Sequence, residues 1–186
     1  PDWLVRGFIA RGDIALLAAP AGHGKSLLAL DLAIGLALGD RALGGLEVLT
    51  KGRTAFLELE MSRERTARYF NRLAVGRGVA RSDVLGRLAF WINRPYMLDV
   101  DADRETMLSE LLDLDQQGSA YGAEVGVGLD LIIVDTMRRC LAGDEQDSGA
   151  ISAFFSGLRL TQAVLGNPAV LVLLHFRKQA QNHNTE

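Results

Sequence analysis

Gly22, Gly24, Lys25, Ser26, Glu60 and Asp135 are the residues whose types and spacing point to chemistry on a polyphosphate. The stretch Ala18-Ala19-Pro20-Ala21-Gly22-His23-Gly24-Lys25-Ser26 joins one apolar run to a longer one through a glycine-bearing turn. Such a turn surrounds phosphate oxygens with backbone N–H groups and the positive end of a helix. Its lysine reaches the β- and γ-phosphates, and the hydroxyl after it takes a place on Mg²⁺. The usual spacing is G-x-x-x-x-G-K-[ST], and here Ala19 stands at the first glycine position. Alanine fits there only while φ stays negative, with Gly22 and Gly24 supplying the remaining freedom. The plain alternative is an ordinary strand-to-helix turn carrying a solvated lysine. The strand-like run before it and the helix-like run after it argue for a P-loop.

The loop therefore predicts ATP as ligand, held by Ala21, Gly22, His23, Gly24, Lys25, Ser26 and Leu27. Acids complete the set. In Leu129-Asp130-Leu131-Ile132-Ile133-Val134-Asp135 an apolar strand ends in a carboxylate, the arrangement that holds Mg²⁺ directly or through water, so Ser26 and Asp135 are the expected metal-side residues. Asp130 lies at the other end of that strand. Ligands of open α/β sheets bind beyond the carboxyl ends, so Asp130 is expected to be a solvated strand-start residue. Glu58, Glu60 and Ser62 end the second core strand on the ligand side, where a glutamate can orient and deprotonate the water that attacks a γ-phosphate.

These groups need a scaffold that brings several strand ends together. Apolar runs predict strands at Ile14–Ala18, Thr54–Leu59, Leu88–Ile92, Leu129–Asp135 and Ala169–His175, with helices near Lys25–Leu38, Arg63–Val75, Asp103–Gln117 and Ser148–Leu165. Leu131-Ile132-Ile133-Val134 and Val170-Leu171-Val172-Leu173-Leu174 are continuously apolar, as strands covered by helices on both faces must be. The expected fold is α/β, a three-layer doubly wound and mostly parallel sheet. Gly35, Gly39, Gly44 and Gly45 mark the end of the first helix and the loop after it, and 118–128 reads as a surface connection.

Composition fits one domain spanning 1–186. The 186 residues are 48% hydrophobic and 23% charged, with net charge −3, which excludes a disordered chain and gives no global attraction to nucleic acid. The longest apolar run, Leu27 to Leu38, is interrupted by Asp31 and too short to span a bilayer. The start, Pro1-Asp2-Trp3-Leu4-Val5-Arg6-Gly7, has neither an initiator Met nor the order of a secretion signal, so it reads as a boundary within a longer chain. Cys140 is the single cysteine, which excludes an internal disulfide and fits a cytoplasmic setting, with a structural thiol the expected role.

Leu59-Glu60-Met61-Ser62 after the second strand resembles the motif at that place in DnaB-type replicative helicases. The wider layout is similar to the RecA-like ATPases, and most to their RepA-type hexameric helicase branch: a Trp3-to-Gly7 lead-in, Gly12-Asp13, the P-loop, Glu60, Val134-Asp135-Thr136 and a strand ending Leu173-Leu174-His175. The resemblance implies a ring-forming, Mg²⁺-dependent ATPase acting on DNA, with no membrane partner. It makes Glu60 the catalytic base, Asp135 the Mg²⁺ ligand and His175 a polar γ-phosphate sensor, and gives Glu58 a supporting role. A strand-end histidine with a satisfied hydrogen bond stays open for His175. Arg138-Arg139 and Arg177-Lys178 follow the last two strands, where the loops of RecA-like proteins line a single-stranded DNA path; surface solvation is the plain alternative. Arg177 or Lys178 fits equally a finger reaching a neighbouring subunit's phosphate, and Phe176 is the lone aromatic near these pairs. The chain is expected to stop before the C-terminal strands such motors carry. A runner-up within P-loop proteins is a small-molecule or nucleotide kinase, disfavoured by Glu60 and by the lack of an arginine-rich lid; the reading of another class is a non-hydrolysing nucleotide switch or scaffold of the KaiC-like regulatory kind, against which the intact Lys25, Glu60 and Asp135 set argues.

Overall fold

The computed structural model describes residues 1–94, 96–116 and 128–175. In chain order the elements are β1 (Trp3–Val5), β2 (Ile9–Ala10), β3 (Ile14–Ala19), α1 (Lys25–Leu38), β4 (Arg41–Ala42), β5 (Leu46–Glu47), β6 (Thr54–Glu58), α2 (Arg63–Gly76), α3 (Ser82–Leu85), β7 (Leu88–Ile92), α4 (Asp101–Gln116), β8 (Leu131–Asp135), a 3₁₀ turn (Met137–Cys140), α5 (Ser148–Val164) and β9 (Ala169–His175). Every long element predicted from periodicity is present. The short ones, β1, β2, β4, β5 and α3, carry too few residues to show a period and were not anticipated. The connection expected over 118–128 falls, apart from Gly128, outside the described residues.

The central sheet has the order β3-β9-β8-β6-β7 with all neighbours parallel. Helices cover both faces, as continuously apolar parallel strands require. On one face α1 and the N-terminal β1–β2 ribbon bury Leu4, Ile9, Leu30 and Ile34 against Phe56, Ile133 and Leu171. On the other, α4 and α5 bury Met107, Leu111, Phe154 and Leu158 against Leu57, Val134 and Val172. Each fully buried leucine or phenylalanine contributes about 1.5–3 kcal/mol, so the two half-cores, and not hydrogen bonds at the site, hold the sheet together.

α1 starts at Gly24 and ends at Gly39, both left-handed, and the Gly39 N–H closes the helix onto the Gly35 carbonyl at 2.9 Å. Gly35 lies inside the helix, not at its end: an ideal Cβ there would stand 2.5 Å from the Arg41 carbonyl oxygen. Asp31, the one acid in this apolar helix, accepts from the Leu43 N–H at 2.6 Å and pairs with Arg77 at 2.7 Å. That pair ties the end of α2 to α1. α2 begins at Ser62, whose hydroxyl accepts from the Arg65 N–H at 3.4 Å.

Candidate nucleotide site

Register brings the residues expected to do chemistry to one edge of the sheet. Parallel pairing places Ala19 beside His175 and Glu58 beside Asp135, so β3, β9, β8 and β6 all release their last residues toward the start of α1. Between β3 and α1 the chain turns through Gly22 and Gly24, both at φ +79°, where any Cβ would be strained. Ala19 is not among the residues with positive φ, which is the condition for alanine at that position. The first-turn N–H groups of α1 have no intrahelical partner and form a ready anion cradle.

Lys25 is buried and directs its ammonium to the Ala19 carbonyl at 2.7 Å, the Pro20 carbonyl at 3.0 Å and His175 Nδ1 at 3.0 Å. An ammonium only donates, so Nδ1 accepts and the imidazole proton is assigned to Nε2. Nε2 in turn lies 2.9 Å from the Glu60 carboxylate. His175 thus bridges the two groups that the sequence assigns to phosphate and to water. Its hydrogen bonds are satisfied, but by the site itself and not by an unrelated neighbour.

Behind this bridge stand two buried carboxylates. Asp135 is fully buried, and the Ser26 hydroxyl faces its carboxylate without closing a hydrogen bond of ordinary geometry to either oxygen. Burial pushes its pKa up to about 6; Glu60 adds to the rise, and the Ser26 hydroxyl, His175 and Lys25 oppose it. Glu58 is fully buried too. Its Oε1 accepts from the Glu60 and Met61 N–H groups at 3.0 and 2.8 Å, while Oε2 is orphaned. Burial first and the Asp135 charge second raise Glu58 to about 7. Orphaned buried carboxylate oxygens facing a hydroxyl are what a hard divalent cation compensates, so Ser26 and Asp135 fit Mg²⁺.

The cavity in front of the P-loop measures about 200 Å³ and is lined by Gly22 to Leu27, Glu60, Met61 and His175. His23 is exposed at its rim, with Nδ1 3.1 Å from the Ala21 carbonyl. Two lining residues were missed from the sequence: Arg65 and Tyr69 of α2, whose guanidinium and ring lie 6.0 Å apart. Helical spacing i, i+4 on an exposed face was the available signal. A cavity of about 430 Å³ lies toward the opposite end of the sheet, between β7 and Leu114 of α4, and shares no lining residue with the one at the P-loop.

Asp130 corrects an expectation. It is buried, not solvated: Oδ1 takes Arg11 Nη2 at 2.6 Å and Oδ2 takes the Arg53 N–H at 2.9 Å. Arg11 reaches it from the N-terminal ribbon, a contact across 119 positions that no local pattern reveals. Arg138 and Arg139 are exposed on the 3₁₀ turn after β8, with Arg138 3.8 Å from Glu145. Phe176, Arg177 and Lys178 lie outside the described residues. Cys140 is buried, its thiol pushed up to about 12 by burial, as suits a structural residue. No helix among the described residues is long and apolar enough to cross a membrane.

The family described as AAA domain matches residues 1–181. Among solved structures, the crystal structure of the RadB recombinase aligns over 95% of this chain and 67% of that one, with a TM-score of 0.53 at 19% identity. At that identity the likeness is one of fold, the RecA-like three-layer core. No curated protein matches the chain in sequence.

Proposed function

The chain belongs to the AAA domain family, and from that premise we propose that this RecA-fold P-loop ATPase is a Mg²⁺-dependent motor coupling ATP hydrolysis to single-stranded DNA, as a ring-forming helicase does. The observation that carries the reading is the contact of His175 with both Lys25 and Glu60, beside the orphaned carboxylate of Asp135.

In this reading the first-turn amides of α1 and the Lys25 ammonium hold the β- and γ-phosphates. Glu60 accepts the proton of the water that attacks the γ-phosphorus in line, and the leaving group is ADP. Ser26 and Asp135 would hold Mg²⁺, which would supply charge neutralisation on the polyphosphate. His175 keeps the base and the phosphate-binding cation in one hydrogen-bonded line, so a change at the γ-position is felt at the end of β9. Arg65 and Tyr69, flat groups at the cavity wall, receive the base. Arg138 and Arg139, exposed directly after the metal-side strand, supply phosphate contacts to DNA.

ATP turnover with and without single-stranded DNA, together with the mass in solution, tests the proposal. Hydrolysis that EDTA abolishes, that DNA stimulates several-fold, and that belongs to a ring-sized assembly supports it. Hydrolysis indifferent to DNA returns the protein to the regulatory-switch reading. Transfer of phosphate to a small acceptor in place of water points to a kinase.

A further inference from the structure

β6 stops at Glu58, and the chain must turn sharply to reach the start of α2 at Arg63. The turn is pinned from three sides. The Leu59 N–H donates to the Asp135 carbonyl at 2.7 Å and the Asn93 N–H donates to the Glu58 carbonyl at 2.9 Å, which fix the strand end against β8 and β7. The next two amides, of Glu60 and Met61, have left the ladder, and a single side-chain atom takes both: Glu58 Oε1, at 3.0 and 2.8 Å. A local side-chain acceptor of this kind decides backbone direction where secondary structure no longer does. The Glu60 carboxylate, 2.9 Å from His175, projects from the residue so fixed.

Glu58 makes no hydrogen bond to Lys25 or His175, and its other oxygen is buried without a partner at the register position beside Asp135. For stability alone this is a poor placement, since an unpaired carboxylate oxygen is buried next to a second acid. We propose that Glu58 is a positioning residue, its Oε1 acting as a two-amide clamp that aims Glu60 at the attacking water. The proposal rests on the reading of Glu60 as base. A glutamine keeps an acceptor oxygen at the same reach, an aspartate falls short of it, and an alanine removes it.

Steady-state ATP hydrolysis and binding of a fluorescent ATP analogue by the whole chain carry the test, on Glu58→Ala, Glu58→Gln, Glu58→Asp, Glu60→Gln and the Glu58→Ala/Glu60→Gln double variant. A misplaced base costs on the order of 10²-fold in kcat, so Glu58→Ala should fall by about that factor while KM and analogue binding stay within about threefold of wild type. Glu58→Gln should restore turnover to within about threefold of wild type. Because the clamp acts through Glu60, the double variant should be no slower than Glu60→Gln alone. If the alanine variant loses analogue binding through misfolding, Glu58→Asp decides in its place, with the same kcat loss expected. The clamp is overturned if Glu58→Gln is as slow as Glu58→Ala, which makes the Glu58 charge itself the reactive group. It is overturned equally if Glu58→Ala turns over normally or if its loss multiplies with that of Glu60→Gln. Normal turnover by Glu60→Gln instead sinks the base assignment, whatever Glu58 does.

Discussion

Two aspartates flanking the length of β8, Asp130 just before it and Asp135 at its end, are used in opposite ways. At the N-terminal end of β8, Asp130 is closed: both oxygens are taken by Arg11 and the Arg53 backbone, and its carbonyl accepts from the Ala169 N–H at 2.8 Å, so it joins the starts of three strands to the N-terminal ribbon. At the C-terminal end, Asp135 is equally buried and open, with both oxygens orphaned and a raised pKa. Burial alone therefore says nothing about role. Satisfaction does: a buried carboxylate with its partners stabilises the fold, and one without them costs stability that only a ligand recovers. The cavity lined by β7 and Leu114 lies at the closed end of the sheet and is larger than the one at the proposed nucleotide site, so on that reading size is no guide either.

The largest effect expected at the open end is from Lys25→Ala, which removes the cation proposed to sit at the β/γ-phosphates. ATP turnover should fall on the order of 10²-fold or more, and unchanged turnover would end the P-loop assignment. Asp135→Asn should lower Mg²⁺-dependent turnover by a similar factor. In thermal melts without nucleotide the same variant should be at least as stable as wild type, because an uncompensated charge has been removed.

Asp130→Ala should invert that pattern. It removes the acceptor of the Arg53 amide and one of the two carboxylates around Arg11, Asp2 remaining, a cost of about 1–3 kcal/mol in urea titrations, with kcat little changed. If Asp130→Ala lowers kcat and leaves stability intact, the two ends have been assigned the wrong way round.

A smaller effect is set by pH. Asp135 and Glu58 have folded pKa values of about 6 and about 7, above their unfolded values, so the folded state binds more protons between roughly pH 4 and 7. Their contribution is fully present below the unfolded values and is lost as pH rises through about 6 to 7. Without nucleotide and Mg²⁺, the melting temperature should thus fall as pH is raised from 5 to 8. The fall should be shallower in Asp135→Asn, and a slope identical to wild type in that variant argues that Asp135 is not the strained group. The smallest effect is expected at the exposed Arg138-Arg139 pair: replacing both with alanine should leave basal hydrolysis within about twofold while weakening single-strand binding and flattening its salt dependence.

The chain's own pattern set the elements that position the site. α1, β7 and β9 have the bounds their periodicity predicts, because long apolar runs between glycines leave few alternatives. Lys25, Ser26 and Asp135 could be singled out as candidates for a related reason: the P-loop and the strand-end acid are short segments in which residue type, spacing and conformation are bound together. Only the tertiary structure decided which groups meet. His175 stands 150 positions from Lys25 and 115 from Glu60, Arg11 stands 119 from Asp130, and none of these contacts has a local signature. Parallel register created them, by setting β3, β9, β8 and β6 side by side with their carboxyl ends at one edge. The burial that orphans one aspartate and closes the other belongs to that packing, since desolvation depends on what surrounds a carboxylate in space and not on its neighbours in sequence.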